Sequence, residues 1–241
     1  GGGNDGVENT LSGLETAIEL GAYGSEIDIQ RTKDGHYIVN HDSTFSRLTG
    51  NGSRPEDLTL EEVRALRIRT DNGEGEKIAT FEEMLDSSKG RIVLFVELKG
   101  NTADHQMVDD AAAMVKEIDM VDDVVLISLK YDLIDYAKTR YPEMQTAYLL
   151  WAAYGKVAEL NCDYFGLEGE SATSSAIAAI HSQGKQVMVW TPNTIKEQKQ
   201  FLLSDADYII TDNIIQAQEL TQQLEERSEF DRIIDAFARW L

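Results

Sequence analysis

The chain has 241 residues, of which 42% are hydrophobic, so it can bury one large core and is too apolar for a disordered protein. Its 43 acidic and 22 basic side chains give a net charge of −21, which repels nucleic acids and anionic lipid headgroups. A single cysteine, Cys162, excludes an intrachain disulfide, and no run approaches the ~18–20 apolar residues of a membrane span.

The first predicted elements are a helix and a hairpin. Residues 10–20 carry apolar side chains at helical spacing. Residues 25–30 alternate polar and apolar side chains, and the Lys33-Asp34-Gly35 turn signal leads to a short strand at 37–40. This stretch therefore predicts one strand of a sheet with a hairpin arm attached to it.

Two short helices are predicted next, at residues 60–66 and 81–85. Thr59 and Thr80 precede them, and each threonine is followed three positions later by a glutamate. This spacing is typical of a capping box, in which the two side chains bond the free N–H groups of the first turn.

From residue 91 onward, short apolar strands alternate with helices, a pattern typical of a parallel sheet covered by helices. Near-continuous apolar strands indicate burial on both faces. The strands are predicted at 91–97, 124–128, 145–150, 163–167, 186–191 and 206–211, and the helices at 104–117, 131–140, 214–224 and near Lys156, Ile177 and Gln198.

Seven strands of this kind, counting 25–30, predict an α/β fold: a TIM (β/α)8 barrel with a small hairpin insertion after the second strand. The first strand of such a barrel is expected just upstream of Gly1, because the first recognisable element of the chain is a helix. We assign residues 1–224 to the barrel domain. Residues 225–241 form a separate amphipathic helical tail, which could pack on the barrel or contact a partner.

The first chemical pattern is a pair of carboxylates on one strand. Glu26, Asp28 and Gln30 share one face, while Ile27 and Ile29 share the other. If the polar face points into the barrel, the two carboxylates require a cation between them. The alternative is a solvent-exposed strand face in an acidic protein.

A second pattern ends the apolar run at 92–96. Glu97 and Lys99 share one face at the C-terminal end of this strand, where barrel enzymes place their catalytic groups. Carboxylate oxygens suit Mg²⁺ or Ca²⁺ better than a soft metal. Lys99 either pairs with Glu97 or contacts a phosphate oxygen.

Two further side chains are candidates for the site. His41 ends the hairpin arm beside Asp42, and histidine is the natural proton shuttle near neutral pH. Trp190 ends a late strand, where it either joins the core or forms a wall of a substrate pocket.

Several segments together resemble the consecutive motifs of the glycerophosphodiester phosphodiesterase family. The resemblance covers about residues 2–224. The segments are Val7-Glu8-Asn9-Thr10, Glu26-Ile27-Asp28-Ile29-Gln30 with Thr32-Lys33-Asp34-Gly35, Val39-Asn40-His41-Asp42, Val96-Glu97-Leu98-Lys99, Val189-Trp190-Thr191 and Ile209-Ile210-Thr211-Asp212.

The resemblance implies a TIM barrel that hydrolyses glycerophosphodiesters to glycerol 3-phosphate and an alcohol at one divalent cation, Mg²⁺ or Ca²⁺. By this resemblance, Glu26, Asp28 and Glu97 ligate the cation. His41 is then one of two catalytic histidines, and Lys99 is a catalytic residue that contacts the phosphate. Glu8 and Trp190 are the remaining substrate-binding candidates.

The family pattern also has a His-Arg-Gly ahead of its Glu-Asn-Thr, at the end of the first strand. The segment before Glu8 contains neither His nor Arg. We expect these residues in the parent polypeptide, upstream of Gly1.

Two alternative functions stay open from the sequence. One is a phospholipase-type phosphodiesterase acting on intact lipids, although the loops at 43–54 and 71–77 are polar. The other is a non-catalytic module that binds a metal and phosphodiesters without the second histidine. The expected partner is a small glycerophosphodiester, with no nucleic acid, and a membrane tether elsewhere in the parent protein is compatible with the sequence.

The sequence predicts a soluble domain, and leaves its compartment and oligomeric state open. A longer membrane-associated or extracytoplasmic bacterial protein is one candidate parent.

Overall fold

The computed structural model describes residues 6–69, 75–151 and 159–238, with side chains up to residue 226. Within these ranges, eight strands form one sheet. They are β1 (Gly24–Arg31), β2 (Tyr37–Val39), β3 (Val93–Leu98), β4 (Val124–Ser128), β5 (Gln145–Leu150), β6 (Tyr164–Glu168), β7 (Gln186–Trp190) and β8 (Tyr208–Ile210).

Helices follow most of the strands, as the alternating sequence pattern predicts. The helix predicted near Lys156 lies outside the described residues. The helices are α1 (Leu11–Glu19), α2 (Ser46–Thr49), α3 (Leu60–Ala65), α4 (Phe81–Ser88), α5 (His105–Glu117), α6 (Tyr131–Arg140), α7 (Ser174–His181), α8 (Ile195–Leu202) and α9 (Ile214–Ala238).

The strand order is β2-β1-β3-β4-β5-β6-β7-β8. β1 and β3 to β8 are parallel, whereas β2 pairs antiparallel with β1. The predicted seven parallel strands and the hairpin arm are thus confirmed. The fold is of the TIM-barrel type, in which helices cover the outside of a curled parallel sheet. The strand expected upstream of Gly1 stays a prediction.

The two capping boxes predicted from sequence are also present. The Thr59 and Thr80 hydroxyls each accept a bond from the backbone N–H of the third helical residue, and the Glu62 and Glu83 carboxylates accept one from the N–H of the cap residue. Such caps stabilise a helix by about 1 kcal/mol. They fix where α3 and α4 begin.

The two faces of the sheet have separate cores. The outer face packs beneath the helices, while the inner face forms its own apolar cluster. The buried members of the inner cluster are Phe95, Val125, Ile127, Ala147, Leu149, Tyr164 and Met188.

Aromatic contacts show how far the sheet curls. Tyr208 of β8 has its ring 5.2 Å from that of Tyr23, which precedes β1. It also lies 6.4 Å from Phe95 and 6.2 Å from Tyr164. Side chains therefore bring β8 and the start of β1, the last and the first of the parallel strands, together across the interior.

The last helix differs from its prediction. α9 runs without a break from Ile214 to Ala238, so it crosses the predicted boundary between residues 224 and 225. The division into a barrel and a separate tail stays a prediction, but no loop in the described part of the chain marks it. Across that same part of the chain, α9 included, no helix has the length and apolar character required to cross a bilayer.

Candidate metal centre

Three carboxylates come together on the inner face of β1 and β3. Asp28 is in register with Glu97, and Glu26 lies two positions earlier on the same face of β1. Each side chain offers one oxygen, and these oxygens all lie within 4.8 Å of one another. Strand parity and register are thus sufficient to assemble the cluster that the sequence predicts.

The surroundings of the cluster oppose full ionisation. Burial, together with the nearby charge of Asp28, raises the pKa of Glu26 and raises that of Glu97 to about 8. Burial also acts against ionisation of Asp28, but Lys99 and His41 outweigh it and hold the pKa of Asp28 below its ordinary value. Three neighbouring carboxylates therefore need a positive charge to be ionised together.

Lys99 supplies part of that charge. Its Nζ donates to Asp28 Oδ1 at 3.0 Å and to Glu97 Oε2 at 3.3 Å. Burial disfavours the ammonium, but the two carboxylates outweigh burial and raise the pKa of Lys99. The pairing of Lys99 with Glu97 weighed from the sequence is thus present, and it extends to Asp28.

The donor set fits a hard divalent cation. When all three are ionised, the carboxylates face one ammonium and leave an excess of negative charge in a mostly buried position, which a divalent cation would offset. Carboxylate oxygens are the ligands that Mg²⁺ and Ca²⁺ prefer. The chemistry and spacing of Glu26, Asp28 and Glu97 therefore match the cation site expected from sequence.

Asn9 orients the central carboxylate. Its Nδ2 donates to Asp28 Oδ2 at 2.7 Å, and its Oδ1 accepts from the backbone N of Asp28 at 3.0 Å. Asn9 has a φ of +54°, a left-handed conformation that asparagine tolerates better than most residues. The neighbouring Thr10 caps α1, which agrees with the helix predicted over residues 10–20, but the spacing of apolar residues gave no indication of the contact made by Asn9.

His41 lies at the exposed edge of the site beside Asp42. Its Nδ1 is 2.9 Å from Asp42 Oδ1. Hydrogen bonds from Arg47 hold the pKa of Asp42 at about 2, so this carboxylate is ionised at neutral pH and can only accept. In the neutral form of the ring, Nδ1 of His41 therefore carries the proton and Nε2 is the acceptor.

Arg47 connects this pair to Glu8. Its Nη1 and Nη2 lie 2.8 and 2.5 Å from the two oxygens of Glu8, and its Nε lies 2.8 Å from Asp42. These two carboxylates, Glu8 foremost, raise the pKa of Arg47 above its ordinary value. Nothing in the spacing of residues 8, 42 and 47 along the sequence had indicated this connection.

The backbone around His41 is held by Gln30. Its buried side chain donates to the carbonyls of Asn40 and Asp42 at 2.6 and 2.8 Å. A side chain at Gly100 would come within 2.4 Å of Gln30 Oε1, so this glycine leaves room for the amide. Alternation had placed Gln30 on the carboxylate face, but its partners depend on the hairpin geometry.

Trp190 lies on β7, apart from the cluster in the strand order. Its ring meets that of Trp151 edge-on, with centroids 4.7 Å apart. A Cβ at Gly166 would lie 2.4 Å from Leu149 Cδ2 and in ordinary contact with the indole, 3.4 Å from Trp190 Cδ1, so the glycine makes room for Leu149. Trp190 and the exposed Trp151 thus form an aromatic pair at the C-terminal ends of β5 and β7.

The structure therefore groups the predicted site residues in two sets. Glu26, Asp28 and Glu97 form the carboxylate cluster, and Lys99 pairs with two of its members, Asp28 and Glu97. His41 and Glu8 belong to a second set, joined through Asp42 and Arg47.

Comparison with known proteins gives a consistent result. The sequence profile described as the glycerophosphoryl diester phosphodiesterase family matches residues 1–216. A glycerophosphodiester phosphodiesterase of Caldanaerobacter subterraneus subsp. tengcongensis is 27% identical over 220 residues, covering 86% of this chain and 88% of the relative.

Two solved structures are similar to the fold. A phosphodiesterase of Oleispira antarctica, in complex with its product sn-glycerol-3-phosphate, has a TM-score of 0.84 at 21% identity, covering 92% of this chain and 94% of the other. A glycerophosphodiester phosphodiesterase of Agrobacterium tumefaciens has a TM-score of 0.78 at 22% identity, covering 90% and 96%. At these identities the structural likeness supports the barrel.

Proposed function

The chain belongs to the glycerophosphoryl diester phosphodiesterase family, and from that premise we propose that it hydrolyses glycerophosphodiesters at a divalent cation held by Glu26, Asp28 and Glu97. The products are glycerol 3-phosphate and an alcohol. The observation that carries this proposal is the convergence of three carboxylate oxygens within 4.8 Å on the inner face of the barrel. The family membership makes the chain a phosphoric diester hydrolase. What we propose in addition is the cation, its three ligands and the roles of Asn9, His41, Lys99 and Trp190.

The cation is Mg²⁺ or Ca²⁺, both of which take oxygen ligands. When bound, it supplies charge stabilisation to the phosphoryl group and lowers the pKa of a nearby hydroxyl or water. Asn9 holds Asp28 in orientation through two hydrogen bonds. Such outer partners fix a ligand's direction and sustain metal affinity.

His41 exchanges the proton. Asp42 keeps the proton of the neutral ring on Nδ1, so Nε2 can take a proton from an attacking hydroxyl and return it to the leaving oxygen. Lys99 offers its ammonium to a phosphoryl oxygen at the edge of the carboxylate cluster. Trp190 provides an apolar wall against the carbon atoms of the substrate.

The first experiment measures release of glycerol 3-phosphate from glycerophosphocholine by this chain, with and without a chelator. Turnover that disappears on chelation and returns with Mg²⁺ or Ca²⁺ supports the proposal. Cation binding without turnover favours the non-catalytic module instead. Cleavage of intact phospholipid in preference to glycerophosphocholine favours the phospholipase-type alternative.

A second experiment tests His41 with a matched control. His41→Asn should lower kcat by about 10²–10⁴ while cation binding persists, because general acid–base catalysis contributes a factor of this order. The control is His181→Asn, since His181 also pairs with an aspartate, Asp207, at 2.8 Å but lies at the end of α7. Equal losses in both variants would contradict the role of His41.

A further inference from the structure

Arg47 joins two carboxylates that the sequence keeps far apart. Its Nη1 and Nη2 donate to Glu8 at 2.8 and 2.5 Å, and its Nε and Nη2 donate to Asp42 at 2.8 and 3.1 Å. These contacts occupy most of the N–H donors of a guanidinium. Paired bonds of this kind fix direction as well as distance.

The two carboxylates lead to the two sets of the site. Asp42 accepts from Nδ1 of His41 at 2.9 Å. Glu8 precedes Asn9, whose amide makes two hydrogen bonds with Asp28 at 2.7 and 3.0 Å. A continuous series of hydrogen bonds and one peptide link therefore runs from the cation cluster to the histidine.

We propose that Arg47 is a positioning residue, which holds Asp42, and through it His41, at a fixed place relative to the cation site. Glu8 then acts through Arg47 and not by touching the substrate. The inference rests on the proposed function for the role of His41. Its geometric part concerns residues of this chain alone.

The surroundings of Arg47 argue against direct phosphate binding. The guanidinium faces two carboxylates, so the local group carries a net negative charge. A phosphate would have to displace Glu8 or Asp42 to reach most of its N–H groups. Lys99, whose ammonium lies beside the cation cluster, is better placed for that contact.

Arginine is required here because of its shape. A lysine carries one point charge and cannot hold two carboxylates with paired bonds. We therefore expect Arg47→Lys to resemble Arg47→Gln in activity, although it keeps the charge. A role based on charge alone predicts that lysine restores activity.

The kinetic test uses Arg47→Gln and Arg47→Lys with glycerophosphocholine and saturating Mg²⁺. We expect kcat to fall by about 10–100-fold in both, since a misplaced catalytic group costs about this much. KM and the Mg²⁺ affinity should change less than about threefold, which also shows that the variants fold. A rise in KM at unchanged kcat, or restored kcat in Arg47→Lys, would overturn the proposal.

The matched control is Arg91→Gln. Arg91 makes a similar paired contact with Glu15, at 2.9 and 2.5 Å, and its side chain is 42% exposed against 49% for Arg47. It lies just before β3, at the opposite end of the strand from Glu97. Arg91→Gln should leave kcat unchanged, and a comparable loss there would also overturn the proposal.

A spectroscopic readout separates this inference from the proposed function. Isotope-labelled histidine spectra report which ring nitrogen carries the proton, with His41→Asn identifying the signal. We expect the Nδ1–H form in the wild type and a mixture with the Nε2–H form in Arg47→Gln. If the tautomer of His41 is the same in Arg47→Gln as in the wild type, positioning by Arg47 is refuted. If the wild type shows no turnover, the proposed function is refuted, and the tautomer still tests the positioning role of Arg47.

Discussion

The inner face of one sheet carries two kinds of surface. On β1 and β3 it presents Glu26, Asp28 and Glu97, which need a charge partner. On β4 to β7 it presents apolar side chains such as Ile127 and Met188, which need only close packing. The same alternation of side chains builds both surfaces, so the chemistry of the site depends on which residues occupy the inward positions of two strands.

The sharpest test of this difference is Glu97→Gln. We expect turnover to fall by more than about a thousandfold, because a bound metal supplies several kcal/mol of charge stabilisation. Mg²⁺ affinity, measured by calorimetry, should fall with it. Glu168→Gln is the control, since Glu168 ends β6 and accepts a hydrogen bond from the backbone N–H of Glu170. An equal loss of Mg²⁺ affinity in Glu168→Gln would show that the cation site is not confined to β1 and β3.

The apolar region should respond in the opposite way. Met188→Ala removes a fully buried side chain from the inner cluster and should lower the free energy of unfolding by about 2–5 kcal/mol. Chemical denaturation gives this value directly. Mg²⁺ affinity of the folded variant should stay within about twofold, and a large loss of affinity would show that the two regions are coupled.

Gln30 is an uncharged polar side chain on the same face of β1 as Glu26 and Asp28, and it is buried. Gln30→Met keeps a similar length but leaves the carbonyls of Asn40 and Asp42 without this donor, which should cost about 1–3 kcal/mol of stability. Denaturation measures the cost, and kcat reports the displacement of His41. A variant as stable and active as the wild type would show that the backbone at Asn40 and Asp42 keeps its conformation without the hydrogen bonds from Gln30.

The smallest expected difference between the two regions is in their response to pH, because only the carboxylate region titrates near neutral pH. The pKa of Glu97 is raised to about 8, so without metal its contribution to stability is present below about pH 4.5 and is lost as the pH rises through 8. Mg²⁺ binding requires the ionised form, so its affinity should rise by up to about tenfold per pH unit toward pH 8. In the Glu97→Gln variant without metal, the free energy of unfolding should depend much less on pH between about 4.5 and 8.

The sequence predicts most of the fold because its signals are local. Thr59 and Thr80 define helix starts through residues three positions away, and the apolar runs of β3 and β4 define buried strands. The sequence predicts helix on both sides of residue 224 and a division there, before the polar Glu225-Glu226-Arg227-Ser228-Glu229, and α9 crosses this point without a break. The continuous helix shows that this change of composition does not stop the backbone hydrogen bonds.

The candidate site was only partly predictable. Parity placed Glu26 and Asp28 on one face, and register with β3 then brings Glu97 beside them. Arg47 lies on the short helix α2, and its partner Glu8 precedes α1, so the contact depends on how two loops fold over the hairpin. No periodicity or motif in a single sequence predicts the contact between Arg47 and Glu8.

The aromatic contact between Tyr23 and Tyr208 has a consequence for the order of folding. Tyr23 lies just before the first strand of the described sheet and Tyr208 lies in its last strand, so the contact joins residues that are far apart in sequence. Contacts that close long loops form slowly. The carboxylate cluster, Lys99 and His41 all lie within the first 99 residues, so this charged part of the site can assemble early from β1 to β3, before β7 brings Trp190 and before β8 pairs.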